Sequence, residues 1–417
     1  MKTFYIKTFG CKSNQAEGRM IALSLLQNGF KETDVLKAAY CIVNSCSVTE
    51  HADKQILSLI KQVRTKNATT KIVLTGCMAQ LSKKPEGVDI ILGNDEKLEI
   101  AKHLNADAVK DIFSIEKFHH IPLESKTYKG TRPFVKIQDG CDNRCAFCIV
   151  PFARGSSRSN SIENIVNQIN HFAQNGCHEV VLTGIHIGHW GREFGKSLLD
   201  LLFEIEKTDI LRYRLGSLYV NEITDDMIKL LAHSQKFCPH FHLSIQSLCD
   251  RTLEDMNRKY SAKESLSLIK KLKSSFNKPF LGCDIIAGFP SESEEDFQAT
   301  FSNLKQSGLS QIHVFPYSKR EGTAAAKMDA QVPEKIKKER VKKLLELSYE
   351  LYGNFLQENL GLEHEVLFEK KSIKLGLNTG FTRNYIKVFV YGDKDFKNTI
   401  KVLKLNKTHL CTDNAPF

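Results

Sequence analysis

The sequence predicts an α/β protein in three parts: an amino-terminal open parallel sheet, a central partial (β/α)6 barrel and a small carboxy-terminal all-β region. Short β-prone runs alternate with helical stretches over most of the 417 residues, and such alternation favours parallel sheets. After a charged helical stretch, the pattern changes to short β-like runs separated by turn signals. We expect the three parts at residues 1–110, 127–353 and 354–417.

The first hundred residues repeat a strand, a short loop and a cysteine three times. The expected elements are strands at 3–8, 41–44 and 71–75 and helices at 17–27 and 52–63. The cysteines after the strands are Cys11, Cys46 and Cys77. Because the carboxyl ends of parallel strands meet at one edge of a sheet, we expect these thiols to form a joint metal site. Packing is the alternative for any single cysteine, and Cys41, inside its strand, is assigned to packing.

Six further strand candidates alternate with amphipathic helical runs in the middle of the chain. The expected strands are 134–137, 179–183, 213–215, 241–245, 281–286 and 311–315. The expected helices are 161–174, 198–206, 261–274 and 294–306. Six β/α units predict a barrel or an open part of one, with its chemistry at the carboxyl ends of the strands.

The residues after the barrel predict a basic β-domain. A charged helix is expected at 335–352, and Gly380 and Asn384 are turn signals. The expected strands are 365–368, 385–390 and 399–403. Residues 366–410 contain ten Lys and Arg against three Asp and Glu, in a chain with a net charge of +11. Concentrated positive charge favours a polyanionic partner.

Composition and cysteine usage narrow the class of protein. The chain is 41% hydrophobic and 26% charged, which is ordinary for a globular protein. No stretch approaches the roughly 18 uninterrupted apolar residues of a membrane span, and the first residues lack the apolar core of a secretory signal. We therefore expect a cytoplasmic protein, in which 12 cysteines indicate metal or catalysis more than disulfides.

A cysteine triplet follows the first expected barrel strand. Cys141, Cys145 and Cys148 have the spacing Cys-x3-Cys-x2-Cys, which 12 cysteines in 417 residues produce by chance roughly once in a hundred sequences. One loop with this spacing can wrap thiolates around an iron–sulfur cluster. Zinc is the rival, but a structural zinc site needs a fourth nearby Cys or His. Three thiolates on a four-iron cluster leave one iron open to a small chelating molecule.

This triplet resembles the signature of the radical S-adenosylmethionine (SAM) enzymes. The spacing agrees, Phe147 places an aromatic residue before the last cysteine, and a barrel strand precedes the loop. The resemblance implies that Cys141, Cys145 and Cys148 hold a [4Fe–4S] cluster whose open iron binds SAM. It further implies that an electron from the reduced cluster cleaves SAM to a 5′-deoxyadenosyl radical.

Other motifs resemble one family of these enzymes, the methylthiotransferases. They are GCKSNQ at 10–15, NSCSVT at 44–49, TGCMAQ at 75–80 and CIVPFARG at 148–155. The resemblance implies that Cys11, Cys46 and Cys77 hold a second [4Fe–4S] cluster. It also implies that the terminal β-domain is an RNA-binding TRAM module, in which Phe381 and Tyr385 are candidates for stacking on bases.

Three substrate groups occur in this family: isopentenyladenosine in tRNA, threonylcarbamoyladenosine in tRNA, and an aspartate of a small-subunit ribosomal protein. The stretches that look most like the second group are LTGIHIG at 182–188, MNRKY at 256–260, HVFPYSKR at 313–320 and GTAA at 322–325. Lys12 after Cys11 agrees, since the isopentenyladenosine group usually carries Gln there. The segment 216–220 departs from the family's usual third-strand sequence.

The expected activity is methylthiolation of carbon 2 of N6-threonylcarbamoyladenosine at tRNA position 37, which gives the 2-methylthio derivative. The other two substrates remain alternatives, and an iron–sulfur RNA-binding protein that senses redox state is the non-enzymatic one. The resemblance implies SAM and two [4Fe–4S] clusters as cofactors. It implies tRNA and an electron donor such as flavodoxin or ferredoxin as partners.

Candidate SAM contacts lie at the ends of the barrel strands. Gly184 and Gly288 end the second and fifth strands, where glycine permits close approach to a ligand; a tight strand-to-helix turn is the alternative. Ser217 and Gln246 end the third and fourth strands and are candidate polar contacts, and Phe147 is the candidate from the cysteine loop. The histidines at 186, 189, 240 and 242 are interpreted as polar or packed side chains rather than metal ligands.

Overall fold

The computed structural model describes residues 2–47, 50–121, 130–372 and 376–410. It confirms the predicted α/β class, with parallel sheets followed by a carboxy-terminal antiparallel sheet. Cys411, interpreted as a packing or surface thiol, lies outside these ranges, as do Val48 and Thr49 of the second motif and the expected boundary at 127. Among the helices of the described ranges, none has both the length and the apolar character that a membrane crossing requires.

The amino-terminal sheet has five parallel strands in the order β2-β1-β3-β4-β5. Its strands are β1 (Thr3–Thr8), β2 (Lys31–Glu32), β3 (Tyr40–Ser45), β4 (Lys71–Gly76) and β5 (Ile90–Leu92), and its helices are α1 (Lys12–Gln27), α2 (Glu50–Lys66) and α3 (Cys77–Leu81). Apolar cores cover both faces, which explains the continuous apolar runs of β3 and β4. The strand order reverses between β1 and β3, and such a reversal opens a crevice at the carboxyl ends of the strands. The sequence did not predict β2 and β5, which are too short to show a period.

Six parallel strands form the central partial barrel, in the order β6-β9-β10-β11-β12-β13. The strands of this region are β6 (Phe134–Lys136), β7 (Gln138–Asp139), β8 (Arg158–Ser159), β9 (Glu179–Thr183), β10 (Arg212–Leu215), β11 (His240–Gln246), β12 (Phe280–Ala287) and β13 (Gln311–Pro316). Bridges from Tyr213 to Phe237 and from Leu218 to Leu243 join the two three-stranded ladders. The remaining strands, β7 and β8, form a small antiparallel pair. All six predicted barrel strands are confirmed.

The helices of the barrel region are α4 (Val150–Arg154), α5 (Ile162–Gln174), α6 (Leu198–Glu206), α7 (Asp225–His233), α8 (Asp250–Asp255), α9 (Ala262–Ser275), α10 (Glu294–Gln306) and α11 (Glu334–Asn359). Five of these helices, α5, α6, α7, α9 and α10, begin where a serine or threonine side chain caps them. Ser197, Ser261 and Ser293 each form a capping box with an acidic residue three positions later, and such boxes define helix starts in the sequence. The charged helix α11 runs past the predicted end because Phe355 packs edge-on against Phe280.

The carboxy-terminal sheet has four antiparallel strands in the order β16-β15-β14-β17. They are β14 (Glu363–Ser372), β15 (Leu377–Thr382), β16 (Lys387–Tyr391) and β17 (Ile400–Lys404). The turn at Asn384 is confirmed, but the prediction of a turn at Gly380 is wrong, because Gly380 lies inside β15. A Cβ at this position would lie 2.4 Å from the carbonyl oxygen of Leu367, so the neighbouring strand occupies the space of a side chain.

A buried cluster of charges, the interdomain ion cluster, joins the amino-terminal region to the barrel. Its members are Glu17, Lys97, Lys136, Asp139, Arg154 and Arg158. Glu17 pairs with Lys97 at 2.6 Å and also with Lys136 and Arg154. Asp139 pairs with Lys136 at 2.9 Å and with Arg158 at 2.8 Å. Four cations therefore surround two carboxylates, and the cluster has an excess of positive charge.

The cations determine the ionisation of the cluster. Burial by itself would raise the pKa of Glu17, but the charges of Arg154, Lys136 and Lys97 hold it well below the usual value. Burial and the neighbouring Arg154 lower the pKa of Lys97 to about 8. Removing one partner of a buried ion pair leaves an uncompensated charge and costs about 3–5 kcal/mol.

We expect Arg154→Met to lower the free energy of unfolding by about 1–3 kcal/mol. Asn14 would lose a buried hydrogen-bond donor, while Glu17 would keep Lys97 and Lys136. Urea denaturation of the full chain measures this change. Lys102→Met is the matched control, since the Lys102–Glu99 pair is exposed and is worth at most about 0.5 kcal/mol. Equal effects of the two substitutions would contradict the role given to Arg154.

We expect Gly380→Ala to destabilise the carboxy-terminal sheet by about 1–3 kcal/mol, since overpacking against a backbone cannot be relieved by a rotamer change. Faster hydrogen exchange of amides in β14 and β15 would report the loss. Gly353→Ala in α11 is the control, because a Cβ there meets open space and alanine favours the helix. Unchanged hydrogen-exchange rates in the Gly380 variant would contradict the prediction, because they would show that β14 and β15 accommodate the added Cβ without loss of stability.

Candidate active site

The cysteine loop 141–148 lies at the carboxyl end of the barrel, next to the β7–β8 pair. The amide of Cys141 donates to the carbonyl of Gly155 at 3.0 Å, and the amide of Ala146 donates to the carbonyl of Met256 at 3.0 Å. The carbonyl of Ala146 accepts from the amide of Ala325 at 2.8 Å. Backbone bonds to three separate segments therefore fix the loop before any ligand binds.

Two of the three thiols of this loop lie beside polar side chains. The guanidinium of Arg258 donates to the sulfur of Cys145 at 3.2 Å, and the sulfur of Cys141 lies 3.5 Å from Nδ1 of His186. Burial raises the pKa of Cys141 to about 11 and that of Cys148 to about 12. A metal that binds these sulfurs as thiolates must release their protons, and Arg258 lies where it can stabilise the resulting negative charge.

A cavity of about 480 Å³ opens beside Cys145. Its wall includes Tyr219, Glu222 and Arg258, so that it offers an aromatic ring, a carboxylate and a guanidinium to a ligand. Arg258 lies over the ring of Tyr219, 4.0 Å from its centroid. The volume falls within the roughly 300–1,000 Å³ of small-molecule sites.

Two histidines connect the cysteine loop to this cavity. His186 pairs with Glu222, and Nε2 of His189 lies 3.5 Å from the same carboxylate. The two imidazole rings are tilted by 31° with centroids 3.7 Å apart, and burial together with His186 lowers the pKa of His189 to about 4. The interpretation of both as packed polar side chains agrees with these contacts. The two histidines and Glu222 are also close enough to hold a metal ion, as are His242, Asp284 and His313 inside the barrel.

The glycines expected to approach SAM approach their own chain. A Cβ on Gly184 would lie 2.9 Å from the carbonyl oxygen of Gln138, and a Cβ on Gly288 would lie 2.4 Å from Cγ of Lys337. These distances agree with the alternative of tight strand-to-helix turns. Their contact with SAM stays a prediction.

The other candidate SAM contacts have different surroundings. Phe147 packs, partly buried, against an apolar cluster that contains Met256 and Phe289. Ser217 is exposed after β10, and Gln246 ends β11 with a positive φ of 73°. Within the described residues, the wall of the 480 Å³ cavity contains none of the five candidates. Sequence reasoning missed Tyr219, Glu222 and Arg258 as lining residues. Tyr219 and Glu222 follow β10 and Arg258 follows α8, and no distinctive spacing marks them.

The second set of cysteines lies at the crevice edge of the amino-terminal sheet, as the strand pattern predicts. Cys11 follows β1, Cys46 follows β3 and Cys77 begins α3 after β4. A Cβ on Gly10 would lie 2.7 Å from the sulfur of Cys46, so the first two loops are in direct contact. Cys11 is exposed, yet protein on its other sides raises the pKa of its thiol. An accessible thiol surrounded in this way lines a concave site.

The polar residues of the motifs hold these loops together. The side-chain amide of Asn14 donates to the carbonyls of Phe9 and Ser45 at 2.9 and 2.8 Å, and that of Asn44 donates to the carbonyl of Asn14 at 2.9 Å. The amide of Met78 donates to the hydroxyl of Ser45 at 3.1 Å. Loops from β1, β3 and β4 are therefore tied to one another.

Arg154 connects the two sets of cysteines. It ends α4, the helix that directly follows Cys148, and its Nε donates to the sulfur of Cys77 at 3.3 Å. The excess positive charge of the interdomain ion cluster thus lies against the second set. An iron–sulfur cubane held by three thiolates is anionic, and hydrogen bonds and charge around its sulfurs tune such a cluster. Both triplets therefore fit the clusters that the sequence implies.

Comparison of the sequence with known proteins identifies the family to which the chain belongs. A sequence model described as the Radical SAM superfamily matches residues 135–304, and a model described as "Uncharacterized protein family UPF0004" matches residues 3–93. The chain is 37% identical over 404 residues to "Threonylcarbamoyladenosine tRNA methylthiotransferase MtaB" of Thermotoga maritima, covering 94% of this chain and 92% of the relative. It is 33% identical over 392 residues to "tRNA-2-methylthio-N(6)-dimethylallyladenosine synthase" of Clostridium novyi, covering 89% and 86%.

Solved structures support the fold. The radical S-adenosylmethionine methyltransferase TsrM from Kitasatospora setae is similar with a TM-score of 0.55 at 13% identity, covering 75% of this chain and 73% of that chain. The cobalamin-dependent S-adenosylmethionine radical enzyme OxsB is similar with a TM-score of 0.51 at 12% identity, covering 86% and 60%. Two triplets of cysteines on this fold, together with relatives matched over nearly the whole chain, show that the chain belongs to the radical SAM tRNA methylthiotransferase family.

Proposed function

We propose that this protein methylthiolates carbon 2 of N6-threonylcarbamoyladenosine at position 37 of tRNA. One observation carries the proposal: two cysteine triplets, joined through Arg154, lie in a chain whose relatives at 33–37% identity include four named as threonylcarbamoyladenosine tRNA methylthiotransferases. The substrate carbon is unactivated and aromatic, so side-chain acid and base groups are insufficient. Cofactors must supply the difficult step.

Cys141, Cys145 and Cys148 hold the first [4Fe–4S] cluster in this proposal. Bound there, this cluster supplies the electron that cleaves SAM. The cavity beside Cys145 suits SAM by charge, because Arg258 can pair with its carboxylate and Glu222 lies close enough to the same space to favour its cationic groups. Tyr219 contributes an aromatic face to the cavity.

Cys11, Cys46 and Cys77 hold the second [4Fe–4S] cluster in this proposal. The sulfur that is to be methylated and transferred is associated with this cluster. The Arg154 hydrogen bond to Cys77 and the surplus cations behind it stabilise an anionic cluster. Cys11 is the exposed member of the set, so the substrate reaches this cluster from the side of the β1 loop.

The positive charge of the chain supports a tRNA partner. Nonspecific affinity for nucleic acid comes mainly from lysine and arginine near phosphates, and the carboxy-terminal sheet is rich in lysine. Phe381 and Tyr385 stack on each other at 4.9 Å, and Arg132 covers Phe381 at 4.5 Å. Because these rings are engaged within the protein, Tyr391, which is 74% exposed, is the better candidate for stacking on a base.

The reaction needs a source of single electrons. A small carrier such as flavodoxin or ferredoxin is the proposed donor, since radical SAM chemistry proceeds by one-electron reduction. The protein acts in the cytoplasm in this proposal, where both tRNA and such carriers are found.

The nucleosides of tRNA test the substrate. We expect deletion of the gene to remove 2-methylthio-N6-threonylcarbamoyladenosine from total tRNA and to leave N6-threonylcarbamoyladenosine in its place, as measured by mass spectrometry. Complementation with the intact gene should restore the product. Loss of 2-methylthio-isopentenyladenosine instead would transfer the assignment to that substrate, and unchanged tRNA would point to the ribosomal protein.

Separate cysteine variants test the two clusters. We expect Cys145→Ala to abolish release of 5′-deoxyadenosine from SAM under anaerobic conditions with dithionite. Cys46→Ala should retain that release and lose the methylthiolated product. Cys177→Ser is the control, because Cys177 lies apart from both sets and its exposure is intermediate.

Two outcomes would contradict this division of roles. Methylthiolated product from the Cys46 variant would argue against a second cluster that handles sulfur. Absence of 5′-deoxyadenosine from the wild-type protein with both clusters loaded would favour the redox-sensing alternative, because a sensor has no need to cleave SAM.

A further inference from the structure

A second cavity, of about 280 Å³, lies where the three parts of the chain meet. Its wall includes Lys12 from α1, Arg132 before β6, Arg214 from β10 and Tyr385 from the turn after β15. Lys12 directly follows Cys11, and consecutive Cα atoms are only about 3.8 Å apart. The cavity is therefore next to the second cysteine set rather than the first.

The carboxylates around this cavity already have partners. Glu179 pairs with Arg214 at 2.7 Å and with Arg212 at 2.9 Å, and Glu369 pairs with Arg132. Asp284 lies 2.8 Å from Nε2 of His242. Glu369 lines the cavity itself, and Glu179 holds the wall residue Arg214. Asp284 is near enough to Lys12 for an electrostatic interaction but is bonded to His242.

Lys12 differs from Arg132 and Arg214 in the same wall, which both pair with carboxylates. Its ammonium group has neither a hydrogen bond nor an ion pair with any residue in the described part of the chain, although it is half-buried. Among the described residues, the wall has four cations, Lys12, Arg132, Arg214 and Lys370, against the carboxylate of Glu369. Lys370 is exposed, whereas Lys12 is half-buried. A partly enclosed cation without a partner favours an anionic ligand, and lysine binds carboxylate and phosphate oxygens readily.

Apolar and aromatic side chains line the same cavity, among them Val181 and Leu215. The ring of Tyr385 packs on His240 with centroids 4.2 Å apart, and both side chains line the cavity. A ligand with a carboxylate at one end and a short aliphatic part matches this combination better than a bare ion does. The threonylcarbamoyl group has this character, since it ends in a carboxylate and carries a methyl group.

We propose that Lys12 binds the carboxylate of the threonylcarbamoyl group and thereby selects this substrate over adenosines with uncharged N6 substituents. The inference rests on the proposed function, because it assumes that the modified base is brought to the second cysteine set. The carboxylate and the reacting carbon belong to the same modified base. Lys12 and Cys11 are adjacent in the chain, so a base bound through its carboxylate at Lys12 has its reacting carbon near the second cysteine set. A phosphate of the tRNA backbone is the other source of an oxyanion for this cavity.

Binding of three synthetic anticodon stem-loops to the anaerobically reconstituted protein distinguishes these sources. The loops carry N6-threonylcarbamoyladenosine, its methyl ester or unmodified adenosine at the target position, and fluorescence anisotropy gives each dissociation constant. We expect the wild-type protein to bind the free acid about 10- to 100-fold more tightly than the ester, as for a hydrogen bond to a charged group. Lys12→Met should lose this preference, and Lys12→Arg should keep most of it.

Lys229→Met is the matched control, since Lys229 is exposed on α7, on the outside of the barrel, and pairs with Asp226 at the surface. Iron content measured for each variant shows whether both clusters are retained. If Lys12→Met loses iron, the wild-type comparison of acid with ester decides, because it changes only the substrate.

Three results would overturn the proposal. The first is equal binding of acid and ester by the wild-type protein. The second is a preference for the acid that persists in Lys12→Met. The third is a loss of affinity in Lys12→Met that is the same for all three stem-loops, as expected for a phosphate contact. Each of these leaves the proposed function standing when the wild-type protein still methylthiolates the free acid. Failure of the wild-type protein to modify any threonylcarbamoylated tRNA would instead remove the proposed function.

Discussion

The site depends on the contacts of the Arg154 guanidinium, which joins the amino-terminal region to the barrel. The guanidinium is fully buried, pairs with Glu17 of the amino-terminal region and donates to the sulfur of Cys77. A buried cation is tolerated only where charges and hydrogen bonds compensate for lost hydration. Compensation here comes from two regions of the chain at once, so the helix that follows the first cysteine triplet is held against the second.

This constraint explains why the two triplets are arranged as a unit. The cysteine loop 141–148 is tied to the barrel by backbone bonds, while Cys11, Cys46 and Cys77 are tied to one another by Asn14 and Asn44. Each set could form on its own region. Their relative position depends on the interdomain ion cluster, where each of the two carboxylates pairs with cations from more than one element.

The interior of the barrel is unusually polar for parallel strands. Closed barrels fill their centre with layers of branched apolar side chains, whereas Lys136, Glu179, Arg214 and Asp284 lie on the inward side of this one and form ion pairs. A partial barrel can keep such groups because neighbouring parts of the chain complete it. The aromatic ring of Tyr385 and the helix α1 contribute to that closure, and the cavity at Lys12 lies between them.

Periodicity and spacing in the sequence predict most of the architecture. The six barrel strands and the capping boxes that start α6, α9 and α10 each depend on residues close together in the chain. Such patterns can be recognised without knowledge of tertiary contacts. Cysteines after β1, β3 and β4 converge because parallel strands share one edge. The prediction of a turn at Gly380 is wrong because glycine usually marks a turn in a sequence. Only the neighbouring strand β14 shows why β15 requires a residue without a side chain at this position.

The sequence by itself determined the fold class, the two cysteine triplets and the family resemblance, since each depends on residues close together in the chain. Only the tertiary structure decided that Arg154 reaches Cys77, 77 positions away, and that Arg258 reaches Cys145, 113 positions away. It also decided that Lys12 lies half-buried with no ion pair to any residue in the described ranges. Burial and charge compensation are properties of neighbours in space, and no local pattern encodes which distant residues those neighbours are.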